Sequence, residues 1–145
     1  MQVHQILAGK KIDNIFSVGP EQTVYDALEI MEEKNIGAVL VMESGQMVGI
    51  FSERDYARKG ILRGRASKNT LIKEVMTSKV ITVETEQKLQ ECMEIMSDKH
   101  IRHLPVTRNG ELVGIISIND IVTMIIREQR AHIHSLESYI TGNPY

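Results

Sequence analysis

Two copies of one pattern hold the groups in this sequence best placed to meet a ligand. They are Gly49-Ile50-Phe51-Ser52-Glu53-Arg54-Asp55 and Gly114-Ile115-Ile116-Ser117-Ile118-Asn119-Asp120. A glycine within a strand lets another group approach the backbone closely. Ser52 stands where an apolar strand gives way to a helix, so its hydroxyl and the first helical N–H groups can meet a phosphate. Asp55, one turn later, is an acceptor-only carboxylate suited to the two hydroxyls of a ribose. Arg54, Arg58 and Lys59 add positive charge, and an arginine fork can hold a phosphate through two bonds. Gly114, Ser117 and Asp120 repeat the frame, but Asn119, Thr123 and Met124 stand where the first copy has Arg54, Arg58 and Lys59. The first copy is the better equipped for phosphate. Ser-x-x-Asp ahead of an apolar run is also a capping box, which keeps both residues with no ligand at all. Both readings stand at this level.

Catalytic constellations are harder to find, and the chain reads as a non-enzyme. There is no Gly-x-x-x-x-Gly-Lys-Ser/Thr loop and no Gly-x-Gly-x-x-Gly after a strand. Cys92, the single cysteine, lies on the apolar stripe of a helix and reads as core rather than as a nucleophile. His100 and His103 are three apart and His132 and His134 two apart, without a cysteine or carboxylate cluster of the right spacing for a metal site. The stretch with Arg58, Lys59, Arg63, Arg65 and Lys68 is most simply a solvated loop.

The elements that must position these groups come from an internal repeat. Residues 15–56 lie over residues 80–121 without a gap, at an offset of 65, with 15 identities among 42 positions. Such a self-match is the first thing to seek in a chain. Two copies are too few for a solenoid and suggest a pseudo-twofold pair closing one core. Each copy opens with an extended piece, Ile15-Phe16-Ser17-Val18 or Val80-Ile81-Thr82-Val83. A helix follows, with Val24, Ala27, Leu28 and Met31 at helical spacing, matched by Leu89, Cys92, Met93 and Met96. The run Ala38–Met42 predicts a strand, and Leu104-Pro105-Val106 is its counterpart, where Pro105 favours a strand start or an edge. Ser44-Gly45 and Asn109-Gly110 predict hairpin turns. A second strand and a second helix, starting at Ser52 or Ser117, complete a β-α-β-β-α unit. The expected class is α/β (α+β), with units at 10–65 and 70–128 and a C-terminal helical extension at 129–145. The short helix around Leu71–Thr77 leads into the second copy. In the extension, Ile133, Leu136 and Ile140 keep helical spacing, so the tail can pack on a partner subunit, and Gly142-Asn143-Pro144 should end it.

The bulk numbers narrow the class further. The chain has 145 residues, a formal net charge of −2, 42% apolar and 25% charged residues. That is long enough to bury a core without a disulfide or metal staple. It is not the strongly basic balance of a nucleic-acid binder. One cysteine forms no internal disulfide, which points to a reducing compartment and to the cytoplasm. No apolar run approaches the about 18 residues that span a bilayer. The N-terminus lacks a basic stretch followed by an apolar run, so no signal peptide is expected.

The repeated unit resembles the cystathionine β-synthase (CBS) domain. The marks are Val75-Met76-Thr77 before Val80-Ile81-Thr82-Val83, then Ile101-Arg102-His103-Leu104-Pro105-Val106, then the Gly114–Asp120 segment with Gly49–Asp55 as its equivalent. Their order, twice over about residues 10–128, carries the likeness. The resemblance implies a Bateman module of two CBS units, often a disc-like homodimer, with no covalent cofactor. It implies an adenosine-containing ligand such as AMP, ADP, ATP, NAD or S-adenosylmethionine in clefts between the units, and regulation of a protein partner in trans. It further implies that the Arg102-His103-Pro105 segment lines a cleft, its backbone reading the adenine edge and Arg102 reaching phosphate. The first copy has Gly37-Ala38 there, a smaller and neutral wall. Ser17 and Thr82 can touch ribose or adenine, or be ordinary strand residues. The alternative is a protein-interaction or dimerisation module with vestigial clefts.

Overall fold

The computed structural model describes residues 1–9 and 15–141. In chain order the elements are α1 (Val3–Gly9), β1 (Ser17–Val18), α2 (Val24–Lys34), β2 (Ala38–Glu43), β3 (Gln46–Ser52) and α3 (Glu53–Asp55). A π-helical turn, Tyr56–Gly60, and a 3-10 turn, Ile61–Arg63, continue α3. Then come α4 (Ile72–Val75), β4 (Val83–Glu84), α5 (Leu89–Lys99), β5 (His103–Arg108), β6 (Glu111–Ser117) and α6 (Ile118–Thr141). The fold is mixed α+β with two three-stranded sheets, β1-β2-β3 and β4-β5-β6. The expected start of the first unit at residue 10 and the Gly142-Asn143-Pro144 stop lie outside the described residues.

Each sheet pairs its first strand parallel to the second and its second antiparallel to the third. The hairpins close as the dipeptides predict. Ser44 and Gly45 have φ of 51° and 78°, Asn109 and Gly110 of 52° and 81°. Positive φ at both central residues matches the twist of the flanking strands, and glycine adopts it without a Cβ clash.

Pro105 departs from its expected place. It is the third residue of β5, the central strand, and is buried. The first repeat shows how this is tolerated. There Leu40 N donates to Phe16 O at 3.1 Å, and Ser17 pairs with Leu40. Pro105 stands at the position of Leu40 and has no N–H to give. The parallel ladder accordingly begins one residue later, with Val83 opposite Val106, and Thr82 falls outside β4. The proline lies at an edge in effect, because its silent side faces the point where β4 has not yet begun.

By compactness the chain divides into two units, Asp13–Thr82 and Val83–Tyr145 joined with Met1–Ile12. The short helix α4, which precedes the second repeat in sequence, thus packs in the unit of the first. The helix α1 packs in the unit of the second. The attachments match bond for bond. Ile72 N donates to Gln22 O at 2.8 Å and Lys73 N to Pro20 O at 3.0 Å, while Val24 N donates to Thr70 O at 2.9 Å. In the other unit, Val3 N donates to Gln87 O at 2.9 Å, His4 N to Thr85 O at 2.9 Å, and Leu89 N to Met1 O at 3.0 Å.

The cores correspond as closely. Val18, Val24, Ala27, Met31, Val39, Val41, Phe51, Ile72 and Val75 cluster in one unit. Val83, Leu89, Cys92, Met96, Leu104, Val106, Ile116, Val3 and Ile6 are buried at the matching positions of the other. Each aliphatic side chain so buried stabilises its unit by roughly 1.5–3 kcal/mol, so these short elements hold by packing rather than propensity.

Candidate functional site: the strand-to-helix turn of each repeat

Ser52 ends β3 with an extended backbone, φ −121° and ψ 168°, and the helix begins at the next residue. Its N–H donates to Asp55 Oδ2 at 3.0 Å, and Asp55 N donates back to Ser52 Oγ at 3.3 Å. Ser52 Oγ also donates to Asp55 Oδ2 at 3.1 Å. In the second repeat, Ser117 N donates to Asp120 Oδ2 at 2.8 Å and Asp120 N to Ser117 Oγ at 3.2 Å. The capping box is formed twice. One further first-turn donor is met in each copy by the strand beside it: Glu53 N bonds Gly37 O at 3.1 Å, and Ile118 N bonds Arg102 O at 2.9 Å.

These bonds bring together two of the segments singled out from the sequence. Ala38 lies opposite Ser52 and His103 opposite Ser117 in the ladders. Gly37 and Arg102 are each bonded to the helix start. Ala38 and Pro105 are buried, Arg102, Arg54 and Arg58 are exposed, and His103 is half-buried. Ser17 sits on β1 opposite Leu40, two residues along β2 from Ala38. Ser17 and Thr82 both face solvent.

The two glycines have acquired a definite neighbour. A Cβ on Gly49 would lie 2.6 Å from Met76 Sδ and 3.0 Å from Thr77 O, and one on Gly114 would lie 2.7 Å from Leu7 Cδ2. The group that approaches each backbone is therefore the segment that completes the same unit, Met76-Thr77 behind the first repeat and Leu7 ahead of the second. In the first repeat that segment joins β3 by paired bonds, Ile50 N to Thr77 O at 3.0 Å and Thr77 N to Ile50 O at 2.8 Å.

Thr77 is the residue that chemical reading of the sequence passed over. Its hydroxyl donates to Asp55 Oδ1 at 3.0 Å, and Lys59 Nζ lies 3.3 Å from the same oxygen and 3.4 Å from Thr77 Oγ1. Asp55, with a side chain only 12% exposed, thus carries a hydroxyl and an ammonium on one oxygen and the cap on the other. Nothing periodic links positions 55 and 77. The only signal was the Val75-Met76-Thr77 motif itself. The basic stretch is also partly engaged: Arg65 reaches Glu74 O at 3.3 Å, and Lys68 lies over the Tyr25 ring at 4.8 Å.

Cys92 is fully buried in its helix, and burial first, then the Glu91 carboxylate, pushes its thiol up to about 11. Such a thiol is inert rather than nucleophilic. Among the described residues no group of three His, Cys, Asp or Glu is placed to hold a metal ion. No described helix is long and apolar enough to cross a membrane.

A doubled β-α-β-β-α unit with a glycine-backed Ser-x-x-Asp turn defines a tandem-repeat α+β protein. The CBS domain model matches residues 10–61 and 72–127, and the chain belongs to the CBS domain family. It is 41% identical over 127 residues to the CBS domain-containing protein CBSX3, mitochondrial, of Arabidopsis thaliana, covering 84% of this chain and 62% of that one. Among solved structures, a CBS-domain protein of Burkholderia ambifaria MC40-6 is 46% identical with a TM-score of 0.86, covering 89% of this chain and 96% of that one. A hexameric CBS-CP12 protein from bloom-forming cyanobacteria is 27% identical with a TM-score of 0.73, covering 85% and 71%.

Proposed function

We propose that the chain is a nucleotide-sensing regulatory module that binds an adenosine-containing ligand of the AMP, ADP, ATP or NAD type and signals to a protein partner in trans. The observation that carries this is the doubled turn, in which a carboxylate, a hydroxyl and a backbone wall recur at the same register. In the first repeat Asp55 already accepts two hydroxyls, those of Ser52 and Thr77. A ribose hydroxyl offers the same donor. Arg54 and Arg58 are exposed near the helix start, in keeping with a phosphate-bearing ligand. The role is regulatory rather than catalytic, in keeping with the family. The single buried thiol suits a reducing compartment such as the cytoplasm. The hexameric relative supports self-association, here as a homodimer.

The test is a panel of AMP, ADP, ATP, NAD, NADH and S-adenosylmethionine read by thermal unfolding and calorimetry. A ligand at a hundred times its Kd adds about 2.7 kcal/mol of stability, enough to raise Tm by about 5 °C or more. Asp55→Ala and Asp120→Ala should each remove one site, judged by the ligand-induced shift and not by the starting Tm. A panel that shifts nothing at millimolar concentration overturns the reading. A second reading, an interaction module, rests on the capping boxes being closed in both repeats and on the exposed length of α6. It predicts no ligand shift with association intact.

A further inference from the structure

Asp55 has no acceptor position to spare. An ionised carboxylate offers about four lone-pair positions over its two oxygens. Ser52 N and Ser52 Oγ donate to Oδ2 at 3.0 and 3.1 Å. Thr77 Oγ1 and Lys59 Nζ lie on Oδ1 at 3.0 and 3.3 Å. A ligand hydroxyl therefore reaches this carboxylate only by putting one of these donors out. Three of them are held in place. Ser52 N is backbone, and Ser52 Oγ is tied by the bond it accepts from Asp55 N at 3.3 Å. Thr77 is fixed through its backbone, which exchanges two bonds with Ile50. Lys59 makes the longest of the four contacts, and its side chain is 46% exposed. Its other bond, to Thr77 Oγ1, is 3.4 Å long. The ammonium rides on a flexible four-carbon stem, and an exposed ion pair of this kind is weak. Lys59 is the donor that gives way.

The second repeat is built differently at both positions. The offset of 65 puts Met124 at the place of Lys59. The bonds of the completing segments match Val3 to Ile72, and Gly114 meets Leu7 as Gly49 meets Met76, so Ala8 stands for Thr77. A thioether and a methyl offer a carboxylate no donor.

We infer that Lys59 is a built-in counter-ion which a ligand must displace, and that this displacement makes the first turn select a phosphate-bearing nucleotide over the same nucleoside without phosphate. The inference rests on the ligand reading above and adds the residue that sets the choice. When a ribose hydroxyl takes Oδ1, the ammonium leaves. A phosphate on the same ligand gives it a new anion, and a charge-assisted bond to phosphate is stronger than the exposed pair it replaces. Adenosine brings no anion, so towards adenosine Lys59 is a competitor alone. One side chain thus opposes every ligand at Asp55 and repays only the charged ones. The second turn has no such filter, because Met124 neither competes for a carboxylate nor pairs with a phosphate.

The experiment is titration calorimetry of the full chain with AMP, ATP, NAD and adenosine, with circular dichroism to confirm folding of each variant. It is run in the wild-type background and in Asp120→Ala, where the first turn is the site read. The first turn should bind at least one of the three nucleotides about tenfold or more tightly than adenosine. Lys59→Met, which installs the residue of the second repeat, should weaken that nucleotide about tenfold and tighten adenosine about threefold. Lys59 is exposed, so this variant leaves the core intact, and the wild-type background keeps the test readable if Asp120→Ala loosens the fold. Adenosine bound no more tightly after Lys59→Met overturns the displacement while the ligand reading stands. Arg58→Met removes an equal charge one residue away. If it tightens adenosine as much as Lys59→Met does, the gain is a bulk charge effect and the displacement is overturned. A chain that binds none of the four probes overturns both readings.

Discussion

At the scale of single residues, a group's neighbours decide its chemistry. Asp55 and Cys92 show opposite outcomes. Asp55 is held by Ser52, Thr77 and Lys59, so any ligand hydroxyl must compete with donors already in place. Cys92 has no such company, and burial keeps it protonated. Its folded value of about 11 lies above the ordinary 9.0. The unfolded chain therefore releases its proton first. Between about pH 9 and pH 11 the folded state binds the more protons, and stability falls as pH rises. Other groups titrate in that range, so the comparison is with Cys92→Ala, a residue the fold already accepts at Ala27. The substitution should cost about 1 kcal/mol at pH 8, and the gap to wild type should close and then reverse on the way to pH 11 in urea titrations. Native protein at pH 8 should resist alkylation, and rapid stoichiometric labelling would contradict the buried thiol.

At the scale of elements, the glycines of β3 and β6 look equivalent in sequence and are not equivalent in structure. An added methyl at Gly49 meets Met76 Sδ at 2.6 Å and a backbone carbonyl, Thr77 O, at 3.0 Å. That carbonyl is fixed by its bond from Ile50 N. At Gly114 the three atoms nearest the methyl all belong to the Leu7 side chain, the first its terminal Cδ2 at 2.7 Å, which can turn aside. Gly49→Ala should thus destabilise by about 2–3 kcal/mol and Gly114→Ala by about 1 kcal/mol. Adding Leu7→Ala should relieve the crowding at Gly114 (measured as a double-mutant cycle), whereas Met76→Ala should relieve Gly49 only in part. Periodicity made α2, α5 and both hairpins legible, because their apolar spacing and their Ser-Gly and Asn-Gly turns are local signals. Pro105 was legible as a ladder defect, but its partner was not. Only the parallel register shows that Thr82 loses its place in β4 as a result. The capping box was legible as one of two readings of Ser-x-x-Asp. The Thr77 contact was not, because it joins positions 22 residues apart through tertiary packing.

At the scale of the whole molecule, each repeat is completed by the segment that sequence would give to the other. The repeat body recurs at an offset of 65, but Val3 answers to Ile72 and Ile6 to Val75, four residues further. A gapless alignment therefore stops short of these helices. Their exchange leaves no local trace, because two short amphipathic turns fit either partner by pattern alone. The consequence is a crossed dependence. Val75→Ala removes a fully buried side chain from the unit Asp13–Thr82, and Ile6→Ala removes one from the unit that holds β5 and β6. Each truncation should cost about 2–4 kcal/mol at its site. Hydrogen exchange in the full chain separates the two. Val75→Ala should speed exchange first in β2 and β3, and Ile6→Ala first in β5 and β6, since local opening follows the cooperative unit rather than the sequence. If Val75→Ala instead loosened β5 and β6, α4 would belong to the repeat it precedes.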